Sequence, residues 1–333
     1  MVLEFRKDPT KDLRVIIANE RGKRPTVFGQ AKIGCPFDKG AEPTTPPTKY
    51  AHPSEKAWNV RCFDNSYALL KTDKPYEELT FARSSSYAHG EHEVIVETSE
   101  HDKLFHEFSE DELMGVFFAY AGRFVELEGE KGAKYVLLFK NHRRNAGASI
   151  EHEHSQIVSF PFVPEVQERE MKSYQNHFDQ TGNCLYCDLI TKEKGNILLE
   201  NDSFTAICPS FSRFAFEVWI LPRKHTKSIA EFTEKEATAY MGLLQECLRR
   251  VFHVLKDYNV VYHNAVKGED FHFHAEIYPR SGSWAGVELG AGVIVNQKSE
   301  ADALKALKAV HPREEDARKK EGFLWEAEAR DLY

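Results

Sequence analysis

Five residues near the middle of the chain, His152-Glu153-His154-Ser155-Gln156, and five near its end, His272-Phe273-His274-Ala275-Glu276, share one arrangement: two histidines one residue apart, then a polar group two positions on. Imidazole ligates metals and, when neutral, attacks phosphorus. Side chains two apart on a strand share a face, so His152 and His154 are expected to point the same way, as are His272 and His274. The next polar residue separates the two sites. Gln156 can donate amide N–H groups to phosphate oxygens without adding charge, whereas an ionised Glu276 repels them. His154 is therefore the better nucleophile and His274 the poorer one.

Each pair ends the same series. His101-Asp102-Lys103 through Phe108-Ser109 reads against His225-Thr226-Lys227 through Phe232-Thr233, and Cys35-Pro36-Phe37-Asp38 reads against Cys184-Leu185-Tyr186-Cys187. Such a repeat points to a duplicated unit. Zinc in a structural site takes thiolate and imidazole ligands in a closed tetrahedron. Cys184, Cys187, His225 and His272 supply such a set. The first-half equivalent is Cys35, Asp38, His101 and His152, in which a carboxylate replaces the second thiolate and holds zinc less firmly. With the outer histidine of each pair on metal, the inner one is left for chemistry. Gly147, Ala148 and Ser149 lie just upstream, where a backbone with little side chain can approach a phosphate and offer N–H groups. Lys140, Arg143 and Arg144 are near enough in sequence to balance its charge.

The elements around these residues follow from pattern. Val15–Ala18, Val94–Val96, Tyr135–Phe139, Phe204–Ile207, Phe216–Leu221, Val260–Tyr262 and Phe271–Tyr278 read as strands. Ser109 with Glu112, and Thr233 with Glu236, form capping boxes that open helices. The first helix buries Leu113, Val116, Phe117, Tyr120 and Phe124, and the second buries Tyr240, Leu243, Leu244, Cys247 and Val251. The cap follows eight residues after the lone histidine in both cases, His101 to Ser109 and His225 to Thr233. Residues 1–60 otherwise read mostly as loop, with a flexible connection at Pro43, Pro46 and Pro47. The charged tail from about Asp316 reads as a solvated helix.

Composition narrows the class. A length of 333 residues with 41% hydrophobic residues supports one large domain or two ordinary ones. No apolar run is long enough to span a membrane, and the start of the chain lacks the apolar core of a secretory signal. Six cysteines, of which only Cys184 and Cys187 are close together, fit a reduced cytoplasmic protein with a metal site. A net charge of −8 argues against broad nucleic-acid binding but leaves room for a nucleotide in a local pocket.

The run Phe139-Lys140-Asn141 through Ala146-Gly147-Ala148-Ser149 to His152-x-His154-Ser155-Gln156 resembles the active-site stretch of the galactose-1-phosphate uridylyltransferase family, the nucleotidyltransferase branch of the histidine-triad superfamily. Arg6-Lys7-Asp8-Pro9, Val15–Ala18, Glu20-Arg21 and Lys23-Arg24-Pro25 are similar to its opening motif, and Gly90, His92–Glu97 and His101 also match. The resemblance runs from about residue 6 to about residue 310. It implies an α+β fold of two histidine-triad units, with antiparallel sheets joined across the two halves and helices flanking them. The expected division is 1–175 with the nucleophile, 176–315 as the second unit, and 316–333 as a charged helical tail. It implies ping-pong transfer, in which His154 takes the nucleotide of a nucleotide sugar and passes it to a sugar 1-phosphate or to phosphate. Gln156, Asn141 and Ser149 stand at phosphate-contacting positions, Asn65 at the base and ribose side, and Gly286 and Glu288 at the hexose. Zinc is implied as one or two structural ions, and a homodimer as the assembly.

Four features depart from the family or divide it. Glu153 stands where the family usually has proline, and its strand parity turns it to the opposite face. Asp38 stands where the family usually has cysteine. Some members bind iron or zinc through one glutamate and three histidines, which match Glu170, His263, His272 and His274 here; His272 cannot easily serve both arrangements, and the thiolate set is favoured. The stretch Trp284–Gly292 resembles a relative that acts as an ADP-glucose phosphorylase, so the donor is UDP-glucose or UDP-galactose by the main reading and ADP-glucose by the alternative; dinucleoside tetraphosphate phosphorylases share the chemistry. Hydrolytic relatives carry a third histidine where Gln156 stands, so the glutamine favours transfer over hydrolysis. A non-catalytic nucleotide sensor predicts a damaged first motif, which this chain does not have.

Overall fold

Strand alternation and capping signals produce the elements in this order in a computed structural model that describes residues 2–23 and 34–310. The first half contains β1 (Leu3–Lys7), β2 (Arg14–Ala18), β3 (Thr48–His52), β4 (Val60–Asp64), β5 (Ser85–Tyr87), β6 (His92–Val96), α1 (Glu110–Gly129), β7 (Tyr135–His142) and β8 (His154–Phe160). The helices α2 (Glu165–Thr181) and α3 (Leu185–Lys192) lead into β9 (Ile197–Glu200), β10 (Phe204–Ile207), β11 (Val218–Pro222), α4 (Glu234–Val254), β12 (Tyr258–His263), β13 (His274–Pro279), α5 (Gly286–Ala291) and α6 (Glu300–Ala309). The charged tail and part of the opening motif, Arg24-Pro25, lie outside the described residues.

One ten-stranded sheet runs β3-β4-β6-β8-β7-β12-β13-β11-β10-β9, antiparallel throughout, and a three-stranded sheet β2-β1-β5 stands apart. The two halves meet where β7 pairs β12, from Tyr258 opposite His142 to Tyr262 opposite Leu138. This is the expected α+β arrangement, two antiparallel halves joined edge to edge with flanking helices. Its register sets up a single row across the sheet: Phe63, Val94, Gln156, Phe139, Val261, Glu276, Trp219 and Ile207 are successive partners. Residues opposite one another share a face, so Gln156 and Glu276 project to the same side. Because successive strands are antiparallel, His154 and His274 fall on opposite sides of that row.

The other face is the core. Cys62, Ile95, Ile157, Leu138, Val260 and Ile277 point toward α1 and α4, which pack on each other across the junction. Both capping boxes form: the Ser109 hydroxyl accepts from the Glu112 N–H and the Thr233 hydroxyl from the Glu236 N–H, while each glutamate reaches back to its cap. All ten helix residues expected inside are buried.

Three expectations need correction. Residues 1–60 hold more strand than the one expected: β1, β3 and the first residue of β4 lie there besides β2. Only Phe5 of β1 is buried, and β3 at the sheet edge has no buried residue, so the hydrophobic pattern that marks an interior strand is missing. Two second-half strands start later than expected, β11 at Val218 and β13 at His274; Phe216 has a left-handed φ of 64° and precedes β11. Finally, His152 and His272 are not on strands; each lies just before one.

Candidate active site and metal centres

The last point orients both inner histidines. The carbonyl of each outer histidine turns inward to its partner's ring, 2.8 Å from Nδ1 of His154 and 3.2 Å from Nδ1 of His274. A carbonyl only accepts, so the ring nitrogen beside it carries the proton. His154 therefore holds Nδ1–H, and its lone pair is on Nε2. Burial pushes this imidazole down to about 4, aided by the Lys140 charge and against the pull of the His152 carbonyl. At neutral pH it is uncharged, the state a nucleophile requires.

Gln156 shares its strand face with His154. Its Oε1 faces Nε2 of His92 at 2.9 Å and the Asn65 amide nitrogen at 3.4 Å. Extending the β7–β8 register by one residue sets Asn141 beside His154, and the Asn141 Oδ1 accepts from Asn259 of β12 at 2.8 Å. Asn65, Asn141, His154 and Gln156 are thus brought to one face, as expected. His92 and Asn259 carried no functional assignment from sequence, although each is a polar residue on a strand beside a designated one. Gly90 lets β6 approach β8: at φ 144°, an added Cβ would lie 2.1 Å from the Ser159 carbonyl oxygen.

The turn after β7 differs from expectation. Arg143 takes a left-handed φ of 67° and Gly147 one of 89°. The Gly147 and Ala148 N–H groups donate within this turn, to Arg144 and Arg143 carbonyls, so they are not presented to a ligand. Lys140 is no counter-charge either. It projects to the opposite face, where it is buried against Glu97 and Glu153, with the Glu153 carboxylate also 3.1 Å from His142 Nδ1. The parity expected of Glu153 is correct. Although burial opposes both charges, Lys140 is held above its ordinary pKa and Glu153 well below its own, each by the other.

Both metal-type sets assemble. Cys35, Asp38, His101 and His152 bring their ligand atoms within 4.8 Å of one another, and so do Cys184, Cys187, His225 and His272. In the first, Asp38 Oδ1 lies 2.7 Å from His101 Nδ1 and 3.1 Å from His152 Nδ1. In the second, both sulfurs lie close to His272 Nδ1, at 3.4 and 3.5 Å. The other nitrogen of each outer histidine faces a backbone carbonyl, Thr98 at 2.7 Å and Pro222 at 3.0 Å. That contact fixes the tautomer with Nδ1 free to ligate, the usual second contact of a metal-bound histidine. Burial pushes the Cys35 thiol up to about 11 and, with Cys184 adding to it, Cys187 up to about 12, so a cation is what would make thiolates of them. The residues fit zinc.

A third cluster resolves the conflict over His272. Glu170, His263, His274 and Glu276 gather their ligand atoms within 4.8 Å. Glu276, not His272, completes this set, so it and the thiolate set share no residue. His263 Nδ1 lies 2.9 Å from Glu170 and its Nε2 lies 3.3 Å from Glu276. Against burial, the two carboxylates hold His263 well above its ordinary pKa. Nε2 of His263, Nε2 of His274 and Oε1 of Glu276 are buried without a hydrogen-bond partner, a donor set that suits a divalent cation.

With this geometry in place, sequence comparison is decisive. A model described as the galactose-1-phosphate uridyl transferase N-terminal domain matches residues 4–164, and its C-terminal counterpart matches residues 168–316. The chain belongs to the galactose-1-phosphate uridylyltransferase family. It is accordingly a nucleotidyltransferase. An ADP-glucose phosphorylase from Arabidopsis thaliana is 27% identical over 92% of this chain and 93% of its own length. A galactose-1-phosphate uridylyltransferase from Thermotoga maritima is 26% identical over 92% of this chain and 98% of its own. Among solved structures, one of a uridylyltransferase superposes with a TM-score of 0.78 at 26% identity, covering 92% of this chain and 98% of that one. The Arabidopsis thaliana ADP-glucose phosphorylase with bound ADP-glucose gives 0.76 at 25%, covering 92% and 99%.

Within the family frame, the residues expected at the hexose stand apart. Gly286 and Glu288 belong to the short helix α5, and the Glu288 carboxylate accepts from the Ala285 and Val295 N–H groups. Glu288 lines a cavity of about 610 Å³ with Arg213, Phe214, Trp284 and Asn296. That cavity contains neither His154 nor Gln156. Among the described residues, no helix is long and apolar enough to cross a membrane.

Proposed function

We propose that this enzyme transfers a uridylyl group from UDP-glucose to a hexose 1-phosphate, galactose 1-phosphate foremost, by a ping-pong path through His154. Nε2 of His154 attacks the α-phosphorus; a P–N bond forms and the P–O bond to the β-phosphate breaks, releasing glucose 1-phosphate. A phosphate oxygen of the second sugar then attacks, the P–N bond breaks, and the imidazole returns. The observation that carries this reading is the Nδ1–H held by the His152 carbonyl, which leaves the nucleophilic lone pair on Nε2 beside Gln156. The same carbonyl steadies the positive charge the ring gains on attack.

Gln156 and Asn141 serve the phosphate oxygens and Asn65 the nucleoside side. Gly147, Ala148 and Ser149 shape the turn against which the phosphates lie. Cys184, Cys187, His225 and His272 hold a structural zinc, and Cys35, Asp38, His101 and His152 a second, weaker one. Glu170, His263, His274 and Glu276 take a further divalent ion, zinc or iron. The division near residue 175 then separates a catalytic unit from one that stabilises. A hexose role for Gly286 and Glu288 requires a second copy of the chain, and the exposure of Trp284, Val287, Leu289, Val293 and Val295 on the same segment supports a homodimer. All six cysteines are free, which supports a cytoplasmic setting.

Adenylyl transfer from ADP-glucose to phosphate is the second reading, favoured by the match to the Arabidopsis phosphorylase across nearly the whole chain. Separate incubation with UDP-glucose and with ADP-glucose, followed by the mass of the intact protein, decides between them. A uridylyl adduct supports the first reading, an adenylyl adduct the second, and no adduct from either rejects both.

A further inference from the structure

Two side-chain amides face the phosphate side of the sheet, and each has its carbonyl end already engaged. The engagement traces back to backbone groups whose donor or acceptor character is not in question. Leu69 N–H points at His92 Nδ1, 2.9 Å away. Nδ1 must therefore accept, so the His92 proton is on Nε2. Nε2–H in turn faces Gln156 at 2.9 Å, and only the amide oxygen can receive it. Asn65 adds to this: its Oδ1 accepts from Tyr67 N–H at 2.8 Å, which turns its amide nitrogen toward the same Gln156 oxygen.

Asn141 is held by a separate chain of the same kind. The Ala146 carbonyl can only accept, and the Asn259 side chain meets it at 2.8 Å. The Asn259 atom there is its nitrogen, and that nitrogen also contacts Asn141 at 2.8 Å. The Asn141 atom facing it is thus the oxygen, and the Asn141 NH2 is turned away.

We propose that His92 and Asn259 are positioning residues that turn Gln156 and Asn141 so that only N–H groups face the ligand, which makes this part of the site an all-donor cradle for phosphate oxygens. The inference deepens the nucleotidyl-transfer reading and rests on it for its catalytic consequence. An amide free to rotate presents its oxygen about as readily as its nitrogen, and an oxygen repels the charge that grows on phosphorus during attack. Fixing the amide beforehand removes that reorganisation from the reaction. The second half lacks the device. Strand register sets Glu217 where His92 stands and Glu276 where Gln156 stands, and neither carboxylate can donate.

The test is a double-mutant cycle on the first half-reaction, read as the single-turnover rate at which UDP-glucose, or ADP-glucose if that is the donor, labels the protein. His92→Phe should slow labelling by about 10–100-fold, the scale of one oriented donor. His92→Gln, whose terminal NH2 reaches the position of the imidazole Nε2–H, should recover most of the loss. In the Gln156→Ala background, His92→Phe should have no further effect. Melting curves confirm that each variant is folded. An undiminished rate in His92→Phe, or losses that multiply in the double variant, would overturn the proposal.

A second readout does not need turnover. On titration with inorganic phosphate, the side-chain NH2 resonances of Gln156 and Asn141, assigned from Gln156→Ala and Asn141→Ala, should both shift. His92→Phe should abolish the Gln156 response alone, and Asn259→Ala the Asn141 response alone. Wild-type protein that takes no nucleotide but shows both shifts would reject the proposed function and retain this inference. Wild-type amides that ignore phosphate would reject the inference even where labelling occurs.

Discussion

The two halves present the same framework and opposite interiors. Each has a carbonyl-anchored outer histidine in a metal-type cluster, and each inner histidine is tied to the outer one's carbonyl. Around His154 the aromatic neighbour is Phe37, edge-on at 5.2 Å. Around His274 three rings lie nearly parallel: His263 at 4.5 Å, Tyr186 at 4.6 Å and Trp219 at 5.1 Å. In the shared row of the sheet, Val94 adjoins Gln156 while Trp219 adjoins Glu276. Glu276 is itself bound by Arg213, at 2.6 Å, and by Tyr278. The lesson is that the two halves share what holds the backbone and differ in what surrounds the inner histidine. Under the proposed function, the first half reacts and the second braces it.

Making the first half resemble the second should have the largest effect. Gln156→Glu places a carboxylate against His92 and Asn65, both able to donate to it, so the fold should persist. Its second oxygen faces the phosphate, and labelling should fall by about 10²–10³-fold at an unchanged melting temperature. A rate within a few-fold of wild type would show that the amide is not used.

Next in size is the metal contrast. Cys184→Ala should release an ion and lower the melting temperature by several degrees, at roughly 2–4 °C per kcal/mol. Cys35→Ala should empty its cluster too, with a smaller loss, because Asp38 leaves that site the weaker ligand set. Metal analysis beside calorimetry checks the order, and the reverse order would contradict it.

pH gives a moderate effect of defined sign. Burial lowers His154 to about 4, so its neutral form persists well below the ordinary imidazole value. The acid limb of labelling should therefore lie near 4, at the lower end of the window from about 6.5 to 4, rather than at 6.5. The unfolded chain binds this proton more readily than the folded one, so the same group makes stability fall as pH drops through that window. A limb at or above 6.5 would mean that the ring is more exposed than its packing indicates.

The smallest effect expected is none. Glu276→Gln restores the amide to the second half, yet His274 remains enclosed by three rings, and no label should appear there. An adduct on His274 would show that charge alone, and not enclosure, silenced it.

Much of this was readable from residue order. The repeat of Cys, His and His-x-His located two metal-type clusters because their ligand types are chemically restricted, and Ser109 and Thr233 opened helices because capping is local. The glutamine and glutamate that follow the inner histidines distinguished the two sites by charge, and the structure gives the two rings different surroundings. What could not be read depended on contacts across the sheet. Glu276 in place of His272 in the third cluster, Trp219 over His274, and His92 behind Gln156 all follow from strand register, which a linear pattern does not specify. Gly147 and Ala148 misled because small residues signal close approach without showing where their N–H groups point. Lys140 misled for the same reason as any strand residue read without its parity.

The central claim is that one imidazole of two carries the nucleotide. Incubating wild-type protein with the donor that labels it, digesting under conditions that preserve the P–N bond, and sequencing the modified peptide by mass spectrometry tests this most directly. The nucleotidyl mass should fall on His154 alone, and His154→Ala should carry none. A label on His274, or one that survives in His154→Ala, would contradict the account.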